Sequence, residues 1–114
     1  MEDWVQIVQA GDAKCMEIIK ILNKGSKTPH EEATAKEYVI KQDCLYRQTE
    51  EGLKWVVPQA NRAQLLRMYH DDAGHPGVAK TEELVRRRCW FPKMRRYIQD
   101  YTHACLECLY VKPN

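Results

Sequence analysis

Two pairs of metal-ligating residue types limit what this chain can fold into more than anything else in it. His70 and His75 are separated by four residues, Cys105 and Cys108 by two, and 29 residues lie between the pairs. Each pair can chelate one ion, because a helix end followed by a turn brings side chains about three to five positions apart onto one point. Two imidazoles and two thiolates make a closed tetrahedral zinc set with no place left for water, and a site of that kind is structural. Taken singly, each pair has other readings. A Cys-x-x-Cys has a redox reading that needs a thioredoxin-like βαβ context, which this chain lacks, and a reading as buried, unreactive thiols. His70 alone at a helix end reads as a satisfied polar residue or a partner of the helix dipole. The two pairs together point to zinc. Their order excludes the familiar major-groove finger, in which the cysteines come first and about twelve residues separate the pairs.

Size makes a metal useful. At 114 residues a chain buries only about 65% of its unfolded surface, so an ion or an oligomer contact supplements a small core. The longest strictly apolar run is Cys108 to Val111, four residues, far below the roughly 20 that span a bilayer. Met1-Glu2-Asp3 is acidic where a secretory signal is basic, and no apolar segment follows. No membrane is expected, and a reducing compartment is. There five cysteines read as metal ligands plus buried thiols sooner than as disulfides. Cys15, Cys44 and Cys89 lie in apolar periodic runs and are expected in the core.

The periodicity changes along the chain. Asp3 is placed to cap a helix carrying Trp4, Ile7 and Val8, with Gly11 ending it at positive φ. Asp12 restarts a second helix through Cys15, Ile18, Ile19 and Leu22, and Thr28-Pro29-His30-Glu31 has the form of a capping box. Tyr38-Val39-Ile40, Cys44-Leu45-Tyr46 and Leu53 to Val57 then read as a small antiparallel meander, stopped by Pro58. Ala60 to His70 reads as a helix, Asp71 to Gly77 as a loop, and Val78 to Arg88 as a helix. Pro92 opens a last helix on which Met94, Ile98, Tyr101 and Cys105 recur. The expected class is α+β: an N-terminal extension over 1–57, with helices and a three-stranded meander, and a zinc-stabilised helical bundle over 58–114. Without a Gly/Ser-rich linker, the two are expected to pack together.

The small net charge of +2 hides an asymmetry: residues 1–57 carry eight basic and ten acidic groups, residues 58–114 ten and six. Arg86, Arg87, Arg88, Lys93, Arg95 and Arg96 fall within eleven residues that contain no acid. Such a run builds a positive potential attractive to phosphate, or it is simply a solvated helix face.

The stretch from Leu53 to Cys108 resembles the zinc-binding His-His-Cys-Cys domain of integrases from gypsy-type long-terminal-repeat retrotransposons and, more distantly, from retroviruses. The residues that carry the resemblance are Trp55-Val56-Val57-Pro58, Leu65-Leu66, His70-Asp71, Ala73-Gly74-His75-Pro76-Gly77, Lys80-Thr81, Trp90-Phe91-Pro92-Lys93-Met94, Tyr101 and Cys105-Leu106-Glu107-Cys108. Residues 1–52 resemble, more weakly, the extension that precedes this domain in larger members. The resemblance implies that His70, His75, Cys105 and Cys108 ligate one zinc ion within a small helical bundle. It suggests that Gly74 and Gly77 let the backbone turn around His75, and that Trp90 and Met94 plug the core beside the metal. Lys80-Thr81 meets a phosphate or forms a plain helix cap. Leu109 departs from the polar residue usual after the second cysteine.

Integrases join DNA with a ribonuclease-H-like core that follows the zinc domain, and this chain ends at Asn114. The acids present, Asp71, Asp72, Glu82 and Glu83, have no sheet to hold them for two-metal catalysis, so the chain is expected not to be an enzyme. It is expected instead to be a nuclear, non-catalytic zinc module of a retrotransposon-type integrase or of a host protein derived from one. In that role Lys80, Arg86, Arg87, Arg88, Lys93, Arg95 and Arg96 contact DNA phosphates, and copies assemble into multimers. The alternative is a protein-interaction or dimerisation module without DNA binding, which meets a second copy or a host partner through Trp4, Ile7, Val8 and Tyr110.

Overall fold

The structure, a computed structural model, describes residues 2–105. Its elements are α1 (Glu2–Ala10), α2 (Ala13–Asn23), α3 (Pro29–Ala35), β1 (Tyr38–Lys41), β2 (Cys44–Thr49), β3 (Gly52–Val56), α4 (Arg62–Leu66), α5 (Val78–Arg86), β4 (Cys89–Trp90) and α6 (Met94–His103). A 3-10 turn over Gln59–Asn61 leads into α4, and a π-helical turn over Arg67–Asp71 follows it. The class is α+β.

The meander forms as its alternation implies. β1 and β2 pair antiparallel with Lys41 opposite Cys44, so Gln42-Asp43 is a two-residue turn. Both turn residues have positive φ, 53° and 63°, the mirror-image geometry that matches strand twist. β2 and β3 pair from Tyr46 opposite Trp55 to Thr49 opposite Gly52, whose φ of 104° suits glycine. A fourth strand extends the expected three. β4 runs parallel to β3 and gives the order β1-β2-β3-β4. The Trp55 N–H donates to Arg88 O at 2.8 Å and the Val57 N–H to Trp90 O at 2.9 Å. Two residues are too few to show a period in sequence, which is why this strand was not expected.

Alternation of side chains across the strands gives the sheet two apolar faces. Leu45, Val56 and Trp90 face Cys15 and Ile18 of α2. Cys44, Trp55, Val57, Cys89 and Phe91 pack instead with Leu65 and Leu66 of α4, Val85 of α5, and Met94 and Ile98 of α6. The second cluster draws on both halves of the chain. Cys15, Cys44 and Cys89 are buried as expected. Trp90 is not beside the ligand residues: the alternation that sends Cys89 towards the C-terminal helices sends Trp90 to the α2 face. There Trp90 meets the Tyr38 ring edge-on and the Arg47 guanidinium lies 4.5 Å over it. Met94 does lie in the cluster with α4 to α6.

Gln9 seals the open end of the β2–β3 ladder. Its Nε2 donates to Leu45 O at 2.9 Å and Val56 O at 2.7 Å, while its Oε1 accepts from the Leu45 N–H at 2.8 Å. The side-chain amide thereby stands in for a peptide unit between the two strands. Other local expectations need correction. Asp3 lies inside α1, which already runs from Glu2. Gly11 has no positive φ, because Asp12 N (to Gln9 O, 3.1 Å) and the Asp12 side chain (from Cys15 N, 2.9 Å) join α1 to α2 by a tight turn. The Thr28 capping box forms with both its bonds. The last helix starts at Met94, with Lys93 in the left-handed region at φ 58°.

Candidate metal centre

The single helix expected over 60–70 divides, and the division positions His70. After Leu66 the backbone widens into the π-helical turn, closed by Asp72 N to Arg67 O at 2.9 Å. Turns of this kind are rare and cluster at functional sites. His70 on this turn is completely buried. Its Nδ1 lies 3.3 Å from Thr81 Oγ1, which donates its own proton to Pro76 O at 3.2 Å. Thr81 Oγ1 can therefore accept from His70, and in the tautomer with the proton on Nδ1 it is Nε2 that carries the lone pair a metal needs. A histidine held this way has its ring orientation and tautomer set before an ion arrives. Thr81 is consequently neither a phosphate contact nor a cap. Gly77 is the residue that caps α5, and Thr81 lies buried within the helix.

His75 is brought back by a chain reversal. Gly74 has φ 87° and His75 itself φ 57°, and the His75 N–H donates to His70 O at 2.8 Å. Histidine is among the few side chains enriched in this left-handed region. Gly77 has φ −67° and needs no glycine-specific conformation. The two rings meet edge to face, 5.0 Å between centroids at 88°. Cys105 arrives two residues past His103, the last residue of α6, its N–H on Thr102 O at 3.2 Å. Its Sγ is 3.3 Å from His75 Nδ1. Cys108 lies outside the described residues, as does Tyr110.

Donor atoms of His70, Asp71, His75 and Cys105 all lie within 4.8 Å of one another, and the group can hold a metal ion. Nitrogen and sulfur ligands at about 2.0 and 2.3 Å from a tetrahedral ion are about 3.5 Å apart, so the His75–Cys105 edge already has the right length. Two neighbours were not legible as site residues. Asp71 Oδ2 accepts from the Tyr101 hydroxyl at 3.1 Å, and the Tyr101 ring meets His70 edge-on at 5.9 Å. Burial, helped by the bond to Asp71, pushes the Tyr101 hydroxyl up to about 12. The signal for Tyr101 was its place four residues before Cys105, one helical turn away on the same face.

The basic run is less positive in space than in sequence. Arg86 pairs with Glu51 and Glu82, Arg87 and Lys80 with Glu83, Arg95 with Glu82, and Arg96 with Asp100. Among the described residues Arg88 and Lys93 of this set make no ion pair, and Arg88 lies 5.9 Å over the Trp55 ring. Of the apolar residues near the start, Trp4 packs against the core and Ile7 stays 71% exposed. No helix among the described residues is long and apolar enough to cross a membrane. Residues 57–114, just over half of the chain, match the family model for the integrase zinc binding domain.

Proposed function

The chain belongs to the integrase zinc-binding domain family, and from that premise we propose that it is a non-catalytic module of a retrotransposon-type integrase, or of a host protein derived from one. It holds one structural zinc ion and contributes to DNA binding and multimer assembly in the nucleus. The observation that carries the reading is the convergence of His70, His75 and Cys105 inside the matched segment. Cys108, spaced for chelation with Cys105, is the fourth ligand. Zinc suits two imidazoles and two thiolates, and the ion supplies a cross-link between the π-helical turn and the end of α6. A set with four protein ligands leaves no open position for water or substrate, hence no catalysis.

Phosphate contacts from Lys80, Arg86, Arg87, Arg88, Lys93, Arg95 and Arg96 give affinity without sequence readout. The exposed ion pairs that hold five of these cations are each worth at most about 1 kcal/mol, so phosphates can displace them. A DNA-binding titration over salt concentration tests this together with metal analysis. Arg88 and Lys93 alone give a slope of log K against log[salt] of about −2, and all seven cations about −6. A slope near zero overturns the DNA arm. The alternative, an interaction module without DNA binding, is favoured by the exposure of Ile7 on α1. Sedimentation over a range of concentrations separates the two: a monomer that binds DNA discards the alternative.

A further inference from the structure

A buried carboxylate oxygen without a partner is costly, and native structures rarely keep one unexplained. Asp71 Oδ1 is such an atom. A carboxylate oxygen of the same residue lies within 4.8 Å of donor atoms of His70, His75 and Cys105. The other oxygen, Oδ2, is engaged by the Tyr101 hydroxyl at 3.1 Å. Tyr101 belongs to α6, the helix that leads to Cys105, so one helix both delivers the thiolate and orients the carboxylate. Among the described residues Asp71 makes no ion pair. A cation at the centre of the histidines and Cys105 is the partner its position fits.

We propose that Asp71 is a reserve ligand. Its Oδ1 completes a set of two nitrogens, one sulfur and one oxygen with His70, His75 and Cys105 whenever the Cys108 thiolate is not engaged. Aspartate oxygens bind zinc at about 2.0 to 2.2 Å, so the substitution is chemically ordinary. The site then keeps its ion when one thiolate ligand is lost. The proposal rests on the metal-binding reading above.

The test uses the full chain with cobalt(II) as the probe, whose thiolate charge-transfer band reports bound sulfurs and whose ligand-field band reports coordination. Cys108→Ser retains one equivalent of cobalt with a one-thiolate band. Adding Asp71→Asn to Cys108→Ser weakens cobalt binding by about tenfold or more, with a changed ligand-field band. Adding Tyr101→Phe instead gives a smaller loss, because the carboxylate remains but is no longer oriented. The proposal is overturned if Cys108→Ser binds no cobalt, or if Asp71→Asn changes neither affinity nor spectrum in that background. A wild-type chain that binds neither zinc nor cobalt overturns the metal reading itself, which is a different result from failure of the reserve ligand alone.

Discussion

Gln9, fully buried, and Asp71, half-buried with its Oδ1 shut off from solvent, meet their hydrogen-bonding needs in opposite ways. Gln9 is satisfied by the protein itself, with three bonds to the backbone of β2 and β3. Asp71 has one oxygen on Tyr101 and one on nothing. The regions around them differ in the same sense. The sheet and α2 are held by strand ladders and by apolar packing, with no group of metal-ligating side chains among their described residues. The C-terminal region is made of a five-residue α4, a five-residue π-helical turn, a nine-residue α5 and α6, around a centre of imidazole, thiol and carboxylate. Its donors are brought together by packing into a group that can hold a metal ion.

The largest effect that can break this contrast is metal removal. Structural zinc contributes about 10 kcal/mol or more of apparent folding energy in small domains. Chelation is expected to strip hydrogen-exchange protection from α5 and α6 while β1 and β2 keep theirs. Simultaneous loss in both regions would show a single cooperative unit, joined through the cluster that Trp55 and Cys89 share with Leu65 and Ile98, and the contrast would fail. The next effect probes the other side. Gln9→Met keeps the stem but strands the Leu45 N–H, Leu45 O and Val56 O, at a cost of about 3 kcal/mol. Urea denaturation of the zinc-loaded protein measures that loss, with zinc affinity expected to stay at the wild-type value. A parallel fall in zinc affinity would show that the sheet sets the ligand geometry.

What was legible in sequence follows the same division. Alternation in Tyr38–Ile40, Cys44–Tyr46 and Leu53–Val57 was enough for the meander, and paired spacing was enough to single out His70, His75 and Cys105, whose donor atoms converge. The rest depended on contacts between residues distant in sequence. β4 exists only because Trp55 and Val57 donate to Arg88 and Trp90. The π-helical turn is invisible because Leu65, Leu66 and Tyr69 fit an ordinary helix equally well. Thr81 read as a helix-start residue, yet Gly77 takes that place and Thr81 turns to His70. The run from Arg86 to Arg96 contains no acid, but Glu51, Glu82, Glu83 and Asp100 reach it from before, after and across the fold.

The smallest effect tests the buried thiols beside the sheet by pH. Burial pushes the Cys15 thiol from an ordinary 9.0 up to about 12, with a hydrogen bond to Asp12 adding to it, and burial pushes Cys89 up to about 11. Above pH 9 the unfolded chain gives up these protons while the folded chain keeps them, so stability falls as pH rises through about 9 to 12 and is fully present below 9. Urea denaturation of the zinc-loaded protein from pH 7 to 11 is thus expected to show stability holding to about pH 9 and declining above it. Cys15→Ala and Cys89→Ala each flatten the alkaline decline. If the decline persists unchanged in both variants, these buried thiols are not its source.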